Sequence, residues 1–196
     1  MRRGCRGAKI LTGCLTSSIV STVHNRIRRH ENRVSGWWFD GAYDHVHFTE
    51  AIATIYAAAA RHGNPASIVT FNPGMRLVRH TKAEDYTAGE LNEPFSMVPA
   101  APMVDGSQWH ALSYIGTGWA KRDTRYPAAR WAAWVRAVTD AGGAVTLDMG
   151  PNWDPDAGPI GTLADAQVTQ LKTIRTAVRT ASARSDRNQA CCVPSL

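Results

Sequence analysis

The chain has 196 residues, of which 44% are hydrophobic and 19% are charged, a composition typical of a globular domain and not of a disordered chain. The formal net charge of +6 does not indicate a nucleic-acid-binding face, because residues 1–33 hold eight lysines and arginines against one acid, and the remaining 163 residues sum to −1. No apolar run reaches the roughly 18 residues of a transmembrane helix, so no membrane partner is expected either. A basic arm at 1–33 that binds polyanions stays an alternative.

The two ends of the chain are predicted to lie outside the folded domain. Residues 1–20 have a basic start and an apolar stretch that Thr, Gly and Ser interrupt, so they resemble a secretion signal only weakly, and disorder is the alternative. Residues 183–196 are expected to form a disordered tail, which leaves 21–182 as the domain. The four cysteines lie near the termini without CxxC spacing, so a zinc site is not expected.

Between these ends the sequence alternates between strand-like and helix-like segments. Asp44 is suited to cap the first helix, Pro127 to begin the second, and Thr162 with Asp165 has the capping-box spacing for the third. Such alternation predicts an α/β fold with about five parallel strands and intervening helices. The predicted strands are 37–39, 67–72, 86–91, 110–115 and 144–149, and the predicted helices are 45–62, 127–141 and 162–180.

Polar or acidic residues recur where the predicted strands end, and Gly or Pro follows closely: Asp40, Asn72, Glu90 and Asp148. In parallel α/β folds, the C-terminal ends of the strands are where the chemistry lies. Two carboxylates from different strand ends, Asp40 and Glu90, are the minimum equipment for glycoside hydrolysis. The alternatives are a turn residue for Asp40, which precedes Gly41, and a helix-entry or surface acid for Glu90.

The segment Trp38-Phe39-Asp40-Gly41 resembles the nucleophile strand of the α-L-fucosidase family, glycoside hydrolase family 29. Later pieces follow in a similar order: a strand ending in Asn72, a segment from Asp85 to Glu90, two tryptophans, and a glycine pair with an apolar strand and a Gly-Pro turn. The similarity extends from about residue 35 to residue 178, and it is nearest to uncharacterised bacterial fucosidase-like proteins.

This resemblance implies a retaining exo-glycosidase with a partial (β/α)8 TIM barrel, acting on terminal α-L-fucosyl or related deoxy-sugar linkages. Asp40 would be the nucleophile that forms a glycosyl-enzyme intermediate, and Glu90 the general acid/base, with Glu93 and Asp105 as competing acids. The partner is a carbohydrate, no metal or other cofactor is implied, and proteins of this family are expected to be extracellular or periplasmic. The expected sugar-binding residues are Trp38, Tyr43, Asn72, Trp109, His110 and Trp119.

The chain also departs from the family pattern. Pro73-Gly74 stands where the family has an acid and an arginine, His110 where it has a glutamate, and Asp148 where it has an asparagine. A complete barrel has eight strands and about 250 residues. We therefore expect an incomplete barrel that an oligomer or a missing portion of chain completes. The alternative is an inactive fragment or a non-catalytic carbohydrate-binding protein, with Trp153 among its stacking faces.

Overall fold

A computed structural model describes residues 33–41 and 49–190 of the chain. Contacts among these residues divide them into two compact units, which are described separately. The N-terminal unit comprises residues 33–41, 49–74 and 79–87, and the C-terminal unit comprises residues 75–78 and 88–190. The domain bounds of 21 and 182 stay a prediction, because residue 21 lies outside the described residues.

The N-terminal unit is a β-α-β arrangement of strand β1 (Gly36–Phe39), helix α1 (Glu50–Gly63) and strand β2 (Ile68–Phe71). The two strands are parallel and in register from Gly36 opposite Ile68 to Phe39 opposite Phe71. Alternate strand residues pack against the small residues of α1, because successive side chains of a strand point to opposite faces. This core contains Phe39, Val69, Phe71, Ala53, Tyr56, Ala57, Ala59 and Ala60.

Helix α1 has favourable residues at each of its ends. Its N-cap is Thr49, whose side-chain oxygen accepts a hydrogen bond from the Ile52 amide at 3.4 Å. Arg61 and His62 lie in the last turn, where basic side chains favour the helix dipole. The cap predicted at Asp44 and the helix start predicted at residue 45 lie outside the described residues.

The C-terminal unit contains a second β-α-β arrangement, with strand β5 (His110–Tyr114), helix α2 (Ala128–Asp140) and strand β6 (Ala144–Asp148). Its strands are parallel, from His110 opposite Ala144 to Tyr114 opposite Asp148. The predicted strand at 86–91 is reduced to one parallel bridge, between Glu90 and Leu112 of β5. The other four predicted strands are confirmed, with ends that differ from prediction by at most one residue.

Helix α2 packs its predicted apolar face into the core of this unit. Trp131, Trp134, Val135 and Val138 are all buried, as their helical spacing predicts. Trp131 contacts Trp134 edge to face, with ring centroids 6.0 Å apart. The apolar residues of α2 therefore cover the sheet face that Trp109 and Ala111 contribute to the same core.

The last helix, α3 (Asp165–Ala190), differs from its prediction at both ends. Thr162 does not cap it, because the Thr162 hydroxyl donates to the Pro159 carbonyl at 2.8 Å and the helix begins at Asp165. The helix also continues past residue 180, so 183–190 of the predicted tail are helical. Residues there include Ala, Arg and Gln, which favour helix and supply no breaker. Residues 191–196 lie outside the described residues.

A hairpin that the sequence pattern does not predict precedes β5. Strands β3 (Met103–Val104) and β4 (Ser107–Gln108) are antiparallel. Asp105 and Gly106 join them with φ angles of 49° and 89°, the left-handed pair of a type I′ turn. Strands of two residues are too short to produce a recognisable alternation, so only the Asp-Gly pair could have indicated the hairpin.

The parallel strands of the described residues form two separate two-stranded sheets and no closed barrel. None of the helices in this part of the chain is long and apolar enough to cross a membrane.

Candidate active site

Asp40 and Asn72 lie side by side at the C-terminal ends of β1 and β2. The strand register places Phe39 opposite Phe71, so the next residue of each strand meets at the same edge. The Asn72 side-chain amide donates to Asp40 Oδ1 at 2.9 Å, and the Gly41 amide donates to the same oxygen at 2.9 Å. The carboxylate is exposed but oriented by two N–H donors, which suits a group that must attack from one direction.

Asn72 is itself held in place, since it is only 2% exposed. Its backbone amide donates to the Phe39 carbonyl at 2.8 Å, which extends the strand ladder by one step. Its side-chain oxygen accepts from the Gly74 amide at 3.0 Å. The Pro73-Gly74 turn that departs from the family pattern therefore fixes the amide that orients Asp40.

Trp38 lies on the same strand face as Asp40, because Trp37 and Phe39 alternate with it and pack toward α1. Its side chain is partly buried. Tyr43, also predicted to contact sugar, lies outside the described residues. A tryptophan and a carboxylate thus share the end of β1 at which the sequence predicts the nucleophile.

Two further carboxylates, absent from the predicted site, bind the free edge of β2. The Val69 amide donates to Asp85 Oδ2 at 2.8 Å, and the Phe71 amide donates to Glu84 Oε1 at 3.2 Å. These amides point away from β1, so the side chains replace a neighbouring strand as hydrogen-bond acceptors. Arg61 balances the charge of Asp85 at 2.8 Å. The only sequence indication of this role is that the two acids are adjacent.

Among the described acids of the N-terminal unit, Glu84 has the most strongly shifted pKa, and it is only 3% exposed. Burial raises the pKa of Glu84 from 4.5 to about 7, although N–H donors, including the His80 amide at 2.7 Å, favour the charged form. Glu84 also holds the amide of Phe71, the residue immediately before Asn72. Protonation of Glu84 therefore changes the charge of the group that accepts from the Phe71 amide, next to Asn72.

In the C-terminal unit, Glu90 forms a parallel bridge with Leu112, in the middle of β5. The Leu112 amide donates to the Gly89 carbonyl at 2.9 Å, and the Leu91 amide donates to the Leu112 carbonyl at 2.8 Å. Gly89 has φ +58°, and an added Cβ would lie 2.2 Å from the His110 carbonyl, so only glycine fits there. The close approach at Gly89 fixes the position of Glu90, whose side chain is partly buried.

The two competing acids lie at different places in this unit. Glu93 is three residues farther along the same segment, toward the C-terminal end of β5, and its carboxylate accepts from the Tyr126 hydroxyl at 2.9 Å and contacts Arg125 at 3.4 Å. Asp105 lies in the hairpin turn ahead of β5, toward the opposite end of the strand. Glu93 is therefore the stronger competitor of Glu90.

Trp109 and His110 lie at the N-terminal end of β5. Trp109 is 5% exposed and belongs to the core of its unit. The His110 ring is buried, with Nε2 2.8 Å from Thr146 Oγ1 and Nδ1 3.3 Å from the Ala88 carbonyl. Sugar contact by these two residues stays a prediction, and their positions favour the alternative of interior strand residues.

The opposite end of β5 carries an aromatic cluster that includes Trp119. The ring of Trp119 contacts that of Tyr114, the last residue of β5, with centroids 4.6 Å apart. The Arg125 guanidinium lies 3.8 Å from the Tyr114 ring centroid. Asp148, at the end of β6, accepts from the Ala120 amide at 2.6 Å. The C-terminal ends of β5 and β6 therefore position the loop that carries Trp119.

No group of three potential metal-binding side chains occurs among the residues that the structure describes.

Comparison with solved structures identifies similar folds at low sequence identity. The endo-fucoidan hydrolase MfFcnA4 of glycoside hydrolase family 107 matches with a TM-score of 0.64 and 17% identity, over 78% of this chain and 28% of that chain. The α-L-fucosidase AlfC from Lactobacillus casei, in complex with α-L-fucose product, matches with a TM-score of 0.59 and 12% identity, over 87% of this chain and 47% of that chain. No protein-family model and no curated protein matches the chain.

The described residues therefore share a partial TIM-barrel-like fold with these solved structures, with parallel strands and helices and no closed barrel. A third match, the endo-fucoidan hydrolase P5AFcnA, gives a TM-score of 0.60 at 13% identity, over 85% of this chain and 56% of that chain. The chain thus spans about a quarter to somewhat over half of the lengths of these enzymes. The predicted α/β class with parallel strands is confirmed.

The raised pKa of Glu84 predicts a specific pH dependence of stability. Between pH 4.5 and about pH 7, Glu84 is protonated in the folded chain but has released its proton in the unfolded chain. The stabilisation that this bound proton gives the folded state is therefore fully present below pH 4.5 and is lost as the pH rises through about 7. The free energy of unfolding of the wild type should fall with pH across this range relative to that of Glu84→Gln. Urea unfolding between about pH 5 and pH 8 measures this, and parallel curves for the two proteins would contradict the assignment.

Proposed function

We propose that this chain is the catalytic portion of a retaining α-L-fucoside hydrolase related to glycoside hydrolase family 29. The observation that carries the proposal is the Asp40 carboxylate at the C-terminal end of β1, oriented through Oδ1 by the Asn72 amide at 2.9 Å. Its setting supports the proposal, since the fold is shared with a fucosidase and with fucoidan hydrolases. Strand ends of this kind carry the catalytic groups of (β/α)8 enzymes.

In the proposed first step, an Asp40 carboxylate oxygen attacks the anomeric carbon of the fucosyl residue. A new carbon–oxygen bond forms, the glycosidic carbon–oxygen bond breaks, and Glu90 gives its proton to the leaving oxygen. In the second step water attacks the same carbon, Glu90 accepts a proton from the water, and the Asp40 carboxylate is released. The net reaction retains the configuration of the sugar.

Glu90 is the proposed acid/base because Gly89 fixes it beside β5, and its side chain is partly buried. Glu93 is exposed, and Arg125 and Tyr126 occupy its carboxylate. Trp38, Tyr43 and Trp119 are proposed to contact the sugar. The interior position of Asn72 suits the orientation of Asp40, and those of Trp109 and His110 suit support of β5.

The nucleophile is tested on hydrolysis of 4-nitrophenyl α-L-fucopyranoside. Asp40→Asn should lower kcat by at least about 10³-fold, because no intermediate can form, whereas the exposed control Asp140→Asn should retain wild-type activity. Asp40→Gly should regain product formation with added azide, which replaces the carboxylate and yields a fucosyl azide.

Two results would contradict the nucleophile assignment. The first is a wild type that releases no 4-nitrophenol. The second is an Asp40→Gly protein that hydrolyses the substrate as the wild type does. If the wild type binds L-fucose without hydrolysing the substrate, the alternative of a non-catalytic carbohydrate-binding protein applies.

The acid/base is tested by changing the leaving group. Glu90→Gln should lower kcat by about 10²-fold or more on an alkyl fucoside, whose leaving oxygen needs the proton, and much less on the 4-nitrophenyl substrate. Glu93→Gln is the matched control and should change both rates alike. If Glu93→Gln instead shows the leaving-group dependence, the roles of the two glutamates are exchanged.

A further inference from the structure

The edge of β2 that faces away from β1 is bound by a loop, and Glu84 makes the contact next to Asn72. Glu84 Oε1 accepts from the Phe71 amide at 3.2 Å, and Glu84 Oε2 accepts from the His80 amide at 2.7 Å. The carboxylate therefore joins the last residue of β2 to the loop of residues 79–87. Since a buried backbone amide without an acceptor is costly, Glu84 takes the place of a neighbouring strand at this point.

This contact is one residue away from the group that orients Asp40. The Phe71 amide binds Glu84, and the next residue, Asn72, donates through its side chain to Asp40 Oδ1 at 2.9 Å. Phe71 is fully buried and stacks on Phe39, with ring centroids 5.0 Å apart. A shift of the strand end at Phe71 therefore moves the amide that holds the Asp40 carboxylate. Such a shift matters because catalytic groups need positions held to within about 0.5 Å.

The charges around Glu84 only partly compensate for its burial. Arg79, on the same loop, favours the charged form of Glu84, but burial has the larger effect. Asp85 is paired with Arg61 of α1 at 2.8 Å, and burial raises the pKa of Tyr86 to about 12, so the Tyr86 hydroxyl stays neutral. Strands β1 and β2 carry no ionisable side chain. Glu84 is therefore protonated below about pH 7 and charged above it.

The charge of Glu84 decides how many backbone amides it can hold. A carboxylate accepts hydrogen bonds at both oxygens, whereas a protonated carboxyl group has one oxygen that donates instead. The bond to the Phe71 amide is the longer of the two, at 3.2 Å against 2.7 Å for His80, so we expect the proton on the oxygen that faces Phe71. Protonation therefore releases the strand end and keeps the bond to the loop.

We propose that Glu84 is a positioning residue for the nucleophile Asp40, which its charged form holds in place through Phe71 and Asn72 and its neutral form releases. Because Glu84 is buried and acts through the backbone of β2, the effect falls on turnover and not on binding of the fucoside. Activity and stability then respond to pH in opposite directions, since the proton that stabilises the fold removes an anchor of the site. The proposal rests on the proposed hydrolase and assigns a pH-dependent regulation to that same site.

The first test compares hydrolysis of 4-nitrophenyl α-L-fucopyranoside by the wild type and by Glu84→Gln, whose side chain has one acceptor oxygen and does not titrate. The ratio of wild-type to variant kcat at each pH removes the titrations of Asp40 and Glu90, which both proteins share. This ratio should rise by about threefold to tenfold between about pH 5.5 and pH 8.5, with its midpoint near 7, and KM should stay within about twofold.

Two matched variants identify the titrating group. Asp85→Asn changes the adjacent acid, which binds the Val69 amide, and should keep the midpoint near 7. His80→Gln removes an imidazole, a type of group that titrates near neutral pH, but keeps the backbone amide that binds Glu84, so it should also keep the midpoint. Urea unfolding at about pH 8 checks that each variant is folded.

The second test measures the coupling without hydrolysis. In heteronuclear NMR spectra, the backbone amide signal of Phe71 and the side-chain amide signals of Asn72 should shift with pH, with a common midpoint near 7. These shifts should be absent from Glu84→Gln, because the group that titrates beside the Phe71 amide is gone.

Four results would overturn the proposal: a kcat ratio independent of pH, a loss that appears in KM and not in kcat, an Asn72 signal that does not respond to Glu84, or a midpoint that His80→Gln abolishes. If the wild type does not hydrolyse the fucoside while the Asn72 signal titrates with Glu84, the proposed function fails and the coupling of Glu84 to the site stands. If hydrolysis depends on Asp40 while the Asn72 signal does not respond to Glu84, this proposal alone fails.

Discussion

The parallel register of β1 and β2 is the constraint on which the candidate site depends. Because Phe39 pairs with Phe71, the chain leaves both strands at one edge, and Asp40 meets the Asn72 amide at 2.9 Å. The buried face of α1 keeps these strands paired, and the Glu84 and Asp85 carboxylates satisfy the amides on the other edge of β2. A slip of one residue would separate Asp40 from Asn72 and turn Phe39 out of the core.

The same logic organises the C-terminal unit around β5 and β6. Core residues hold the strands and helices together. The polar and aromatic groups that could contact a ligand follow the strand ends, in loops held by side-chain amides such as those of Asn152 and Gln167. Buried amides suit this task because one side-chain NH2 group donates to two or more loop carbonyls, as those of Asn152 and Gln167 do. This division between a packed core and framed loops lets one fold class serve different substrates.

Much of the fold follows from local sequence, and the site follows only in part. Strand and helix positions were predictable because Pro and Gly bound apolar segments, and the buried face of α2 is explicit in the spacing of Trp131, Trp134 and Val138. The sequence predicts that Asp40 and Asn72 each lie at a strand end, whereas their contact follows from the register of β1 and β2. The role of Glu84 was not, since it depends on a contact with the Phe71 amide that neither periodicity nor a motif encodes. The full length of α3 was also not predictable, because the polar residues after position 180 include helix formers and no residue that would end the helix.

The central claim is that Asp40 forms a covalent bond with the sugar, and mass spectrometry of a trapped intermediate tests it most directly. A fucosyl fluoride with a second fluorine on the carbon next to the anomeric centre should label the enzyme, because that fluorine slows hydrolysis of the intermediate while the fluoride leaving group still departs readily. We expect a single added deoxyfluorofucosyl group on the peptide that contains Asp40, and none in the Asp40→Asn protein. Label on a different carboxylate, or turnover of the reagent with no labelled Asp40 peptide, would contradict it.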